Sequence, residues 1–107
     1  MKSRLIACVG LLAAAGLLHA ADLKAGQEKA TQLCAACHNA DGKSTNPQYP
    51  VLAGQHADYL RQALKAYQSG DRNNAIMAGM AKPLSKADID NLAAWFASQS
   101  SKLNQTR

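Results

Sequence analysis

The stretch Cys34-Ala35-Ala36-Cys37-His38 decides how this 107-residue chain is read. On a helical turn, positions three and four apart share a face, so both thiols and the imidazole point the same way. Two thiols so placed can add to the two vinyl groups on one edge of a porphyrin. A histidine beside the second sulfur then swings its ring under the metal. The C-x-x-C-H pattern therefore reads as an attachment site for one covalent haem c, with Cys34 and Cys37 as the thioether residues and His38 as the proximal iron ligand. Structural zinc and a thioredoxin-like dithiol are the competing readings. No strand-forming pattern surrounds the motif, which weighs against the dithiol.

On the N-terminal side, Lys2 and Arg4 precede an uncharged apolar stretch from Leu5 to Leu18, closed by Leu18-His19-Ala20. This pattern predicts a cleaved signal peptide over residues 1–20, a single domain over residues 21–107 and a periplasmic location. Leu18 is larger than the residue usually found there, so the junction can shift by one. The stretch is too short for a transmembrane helix, and no stable membrane anchor is expected after cleavage. Cys8 leaves with the leader. The remaining 87 of the 107 residues hold two cysteines, both in the motif, so no structural disulfide can form. A chain this short has a thin apolar core. A macrocycle fixed by thioethers would supply the missing volume.

The formal charge of +5 falls to +3 once Lys2 and Arg4 are removed, with ten basic against seven acidic residues. Two haem propionates bring it close to neutral. No concentrated basic stripe follows the leader, so nucleic-acid binding is not expected.

The hydropathy pattern predicts three helices. The first starts at an Asp22 cap and runs from Leu23 through the motif to His38, with Leu23, Ala30 and Leu33 as its apolar stripe and Gly26 permitting close approach. Residues 39–55 read as loop, from Asp41-Gly42, Asn46-Pro47, Tyr49-Pro50 and Gly54. A second helix spans residues 56–69, stopped by Gly70, with Tyr59, Leu60, Ala63, Leu64 and Tyr67 on one face. Residues 71–84 read as irregular. The third helix opens with Ser85 and Asp88 in a capping-box arrangement and carries Ile89, Leu92, Ala93, Trp95 and Phe96. Beyond Ser100 the tail reads as frayed. The result is an all-α fold wrapped around a flat cofactor.

An iron held by His38 has a sixth position, and His56, Met77 and Met80 are the candidates. A thioether is a soft neutral ligand that raises the reduction potential. His56 opens an amphipathic helix, where a solvent-exposed histidine is the ordinary expectation. Met77 and Met80 are the only methionines after the leader, and both lie in one segment far from the motif.

On these residues the chain resembles the class I c-type cytochromes, most of all a single-haem half of the dihaem periplasmic cytochromes c. Four stretches carry the likeness: Cys34 to His38, Tyr49 to Gln55, Met77-Ala78-Gly79-Met80, and Pro83 through Phe96. The resemblance implies the small class I cytochrome c fold, three main helices and long loops around one covalently bound haem. It implies Met77 as the sixth ligand, with Met80, packed near the haem rim, as the alternative. It implies that the Pro50 carbonyl, twelve residues after His38, accepts from the imidazole Nδ1–H and so orients the ligand. Gly26 and Leu33, with Leu92 and Trp95, resemble the family's crossing of terminal helices.

With protein ligands on both faces of iron, the expected role is a periplasmic one-electron carrier, Fe3+/Fe2+, between respiratory redox partners such as cytochrome complexes, oxidases or dehydrogenases. No residue is catalytic in the bond-making sense. Two other readings stay open: a haem-based catalyst or gas-binding module, and a fixed electron-entry subunit of an oxidase or dehydrogenase. Lys43, Lys82 and Lys86 border the expected haem edge, where positive charge steers acidic partners; exposed lysines are more often plain solvated surface.

Overall fold

The structure, a computed structural model, describes Gly10 and residues 20–105. Apart from Gly10 and Ala20, the expected leader lies outside the described residues. Every regular element among the described residues is a helix.

Helix α1 (Leu23–Leu33) begins where the Asp22 carboxylate accepts from the Ala25 N–H at 3.0 Å. It does not run unbroken to His38 as expected. Both the Cys37 and His38 N–H groups reach the Cys34 carbonyl, at 3.3 and 2.9 Å, and this tightened turn separates α1 from the single turn α2 (Ala35–His38). Helix α3 (Ala57–Ser69) starts after His56, whose side chain makes no capping bond, and stops at Gly70, whose φ of 85° lies in the left-handed region. Residues 71–84 are not irregular throughout: α4 (Ala75–Ala81) occupies half of that stretch. Its start is fixed by Asn74, whose side-chain oxygen accepts from the Met77 N–H at 2.9 Å. Helix α5 (Lys86–Ala97) carries the expected capping box, with Ser85 and Asp88 exchanging two 3.0 Å hydrogen bonds. The tail is not simply frayed, because α6 (Lys102–Gln105) forms a further turn and the Ser101 hydroxyl donates to the Ala53 carbonyl.

Helix α1 crosses α5, and α3 packs on α5 from another side. At the first crossing the backbones nearly touch: a Cβ on Gly26 would lie 2.2 Å from the Asn91 carbonyl oxygen and 2.9 Å from Trp95 Cβ. Only glycine fits there. The expected stripe of Leu23, Ala30 and Leu33 is thereby corrected. Ala30 is fully buried, whereas Leu23 and Leu33 are 48% and 41% exposed, because so close a crossing admits only the small residues Gly26 and Ala30. The core beneath consists of Leu60, Leu84, Ile89, Leu92 and Phe96 with small residues between them. Tyr59, expected on the buried face of α3, lies at its exposed edge.

Gly26→Ala should destabilise the protein by about 1–3 kcal/mol through overpacking, seen as a lower denaturant midpoint with an unchanged slope; an unchanged midpoint would refute the contact. Hydrogen bonds from the Ser85 backbone, then from its hydroxyl, with help from Lys29 at 3.7 Å, hold the Asp88 carboxyl below its ordinary pKa. The folded value is the lower one, so its stabilisation is present above about pH 4 and fades as pH falls through the folded pKa. Asp88→Asn should therefore lower stability at neutral pH and flatten the acid limb of the stability curve, which acid titration of unfolding would measure.

Candidate haem site

The site grows from α2. Cys34 and Cys37 are half-buried free thiols, and His38 on the same turn is buried. The His38 Nδ1 lies 2.9 Å from the Pro50 carbonyl oxygen. A carbonyl only accepts, so Nδ1 must carry the proton and donate, which leaves Nε2 with a free lone pair. Among the described residues no hydrogen-bond partner faces Nε2. The imidazole is thus locked in the tautomer a metal ligand requires. The Tyr49 ring stands beside it, tilted by 60° with centroids 6.3 Å apart.

Pro50 reaches His38 because the loop over residues 39–55 folds back on α5. Asn39, in the left-handed region at φ 64°, turns the chain out of α2. The Gly42 carbonyl accepts from Leu52 and Ala53 at 2.9 and 3.2 Å, and the Gly54 N–H donates to Phe96 O at 2.9 Å. A Cβ on Gly42, at φ 76°, would lie 2.7 Å from the Phe96 ring, so the loop lies directly against α5. From α5, the Trp95 Nε1–H donates to the Ala40 carbonyl at 2.8 Å.

Met77 sits on α4, half-buried, and Met80 on the same helix is 46% exposed. Helix α4 packs on α3. His56 is exposed at the N-cap of α3, as an ordinary surface histidine would be. Lys43, Lys82 and Lys86 are exposed, and Lys86 is bonded to Asp90 at 2.9 Å, which offsets its charge.

Burial pushes the Cys34 thiol up to about 11, so it stays protonated at neutral pH. A redox-active C-x-x-C needs the opposite shift. Among the described residues no three His, Cys, Asp or Glu side chains converge as a zinc site would demand. The donor set instead suits a porphyrin: two closely spaced free thiols, one pre-oriented imidazole, and a thioether-bearing helix elsewhere in the fold. Sequence reasoning missed three hydrogen bonds. These are the Trp95 bond to Ala40 and a pair of bonds from Gln68 Nε2 to the Ala81 and Leu84 carbonyls, both 2.8 Å. Trp95 and Gln68 read only as helix-face residues, and nothing local marks their partners. Asn74, three residues before Met77, was a legible cap signal.

A small all-α module with a C-x-x-C-H turn and a carbonyl-locked histidine defines a haem-binding domain of the cytochrome type. The cytochrome c family profile matches residues 23–100, and the chain belongs to that family. It is 43% identical over 100 residues to cytochrome c4 of Pseudomonas aeruginosa, covering 92% of this chain and 49% of that protein. It is 46% identical over 83 residues to cytochrome c-554(548) of Halomonas halodenitrificans, covering 75% of this chain and 99% of that one. The crystal structure of reduced recombinant cytochrome c4 from Pseudomonas stutzeri superposes with a TM-score of 0.69 at 40% identity, over 76% of this chain and 47% of that one. The chain spans about half the length of the cytochromes c4 that it matches. The family carries one covalently bound haem c per module and is one of electron carriers rather than bond-making enzymes.

Trp95→Phe keeps the ring and removes the N–H, leaving the part-buried Ala40 carbonyl without that donor. A loss of about 1–3 kcal/mol is expected in equilibrium unfolding.

Proposed function

We propose that this chain is a periplasmic one-electron carrier, exported by residues 1–20 and working as the domain over residues 21–107. The observation that carries the reading is the His38 to Pro50 bond within a C-x-x-C-H turn. Cys34 and Cys37 would hold haem c by thioethers, His38 Nε2 would ligate the iron, and Met77 would supply a second, sulfur ligand, with Met80 the alternative. Haem c, when bound, supplies a metal centre that gains and loses a single electron. With His38 and Met77 both holding the iron, the chain's own residues would leave no open site for a substrate. The Pro50 carbonyl holds the imidazole proton on Nδ1 and makes Nε2 a stronger donor. Redox proteins such as cytochrome complexes, oxidases or dehydrogenases are the partners this role requires. Among the described residues no helix is long and apolar enough to cross a membrane.

The test combines mass, spectrum and two substitutions. Export through a host with cytochrome maturation machinery should yield a chain trimmed near Ala20 and heavier by one haem. The reduced protein should be low-spin and indifferent to carbon monoxide. Met77→Leu should abolish the weak sulfur-to-iron charge-transfer band and lower the reduction potential, while Met80→Leu retains the band. Loss of the band with Met80→Leu alone would transfer the ligand role to Met80, and a colourless secreted protein would end the reading.

A further inference from the structure

We infer that Gln68 is a positioning residue for the sixth iron ligand, latching α4 so that Met77 stays bound. The inference rests on the assignment of Met77 in the proposed function.

Helix α4 packs chiefly on α3. Its leading end follows a short link from Gly70 to Asn74, and that link is pinned. The Arg72 N–H donates to Ala66 O at 3.1 Å. The Arg72 guanidinium stacks 5.0 Å from the Tyr67 ring centroid and 5.8 Å from that of Tyr59, and donates to the Tyr59 hydroxyl at 3.2 Å. The trailing end of α4 has no such stack. There the Gln68 carboxamide donates one N–H to the Ala81 carbonyl and the other to Leu84, both at 2.8 Å. Both partners only accept, so the amide orientation is chemically forced: the nitrogen faces them. Ala81 is the last residue of α4, Leu84 directly precedes the Ser85 cap of α5, and both are buried. One side chain thus ties α4 and the link to α5 onto α3.

Without that latch, α4 keeps its anchor at Arg72, while its Ala81 end is left to apolar packing in the core. Met77 lies between these ends. A looser Ala81 end would let Met77 shift with the helix, so Gln68 would govern how often the sixth position opens. The two bonds together, at their ordinary net strength, correspond to about a thirtyfold change in an opening equilibrium.

The experiment measures imidazole entry into the ferric haem-loaded protein by stopped flow, alongside the sulfur-to-iron band. Gln68→Leu should admit imidazole up to about thirtyfold faster than wild type at saturating imidazole, with the band intact before mixing. Gln68→Glu has the same shape and, when ionised, no N–H to donate, so it should behave likewise and separates donation from packing. Asp22→Ala removes the side-chain cap at the start of α1 and leaves Gln68 and its two carbonyl partners as they are, so it should leave the entry rate unchanged. Wild-type rates in both Gln68 variants would overturn the inference, as would equal acceleration in Asp22→Ala. Met77→Leu tells the two failures apart: if it keeps the band, the ligand assignment falls and the inference with it, whereas a lost band with unaltered Gln68 rates removes the inference alone.

Discussion

The contact of Gly26 with the Asn91 carbonyl and Trp95 Cβ is the constraint on which the remaining structure depends. Helix α1 leads directly into α2, so the distance between α1 and α5 sets where the two thiols and His38 stand. The same crossing is stapled at its start by the Asp22 N–H, which donates to Asn91 Oδ1 at 2.8 Å. A larger residue at Gly26 would push the α1 axis outward, and the C-x-x-C-H turn would move with it.

From that crossing outward, the fold relies on N–H donors, from side chains and backbone, that reach distant backbone carbonyls. Trp95 holds Ala40, Gln68 holds Ala81 and Leu84, and the Phe96 carbonyl receives Gly54. Buried carbonyls need partners, so each bond both satisfies an acceptor and fixes a loop. Among the described residues no buried side-chain polar atom lacks a partner. Ile89 and Leu92 are the largest fully buried side chains, and much of the core is alanine. Apolar packing on that scale would not by itself hold two long connections in place. A haem c module, in which a macrocycle joins the core, is the setting in which such a design is stable.

The sequence was most legible where chemistry is local. The motif spacing named Cys34, Cys37 and His38, and the serine-to-aspartate interval at Ser85 marked the start of α5. It was least legible along residues 71–84, where Gly79 and Pro83 hide the short helix that Asn74 begins. The α1 stripe misled for a related reason. Leu23 and Leu33 are the larger apolar residues, yet a close helix crossing selects by size, and Gly26 and Ala30 take the buried face.

By itself, the sequence determined the covalent and local facts: a thiol pair with an adjoining imidazole, a proline twelve residues on, an all-helical pattern and the caps that start α1 and α5. These depend on spacings of a few residues, within which backbone geometry leaves little choice. The Pro50 carbonyl meets the His38 Nδ1 as the resemblance implied, whereas only the tertiary structure decided that Trp95 and Gln68 close on their carbonyls and that Leu33 stays outside. Those Trp95 and Gln68 bonds join residues thirteen to fifty-five positions apart. Their partners are set by how helices cross, a property of side-chain volume in three dimensions that no short stretch of chain contains.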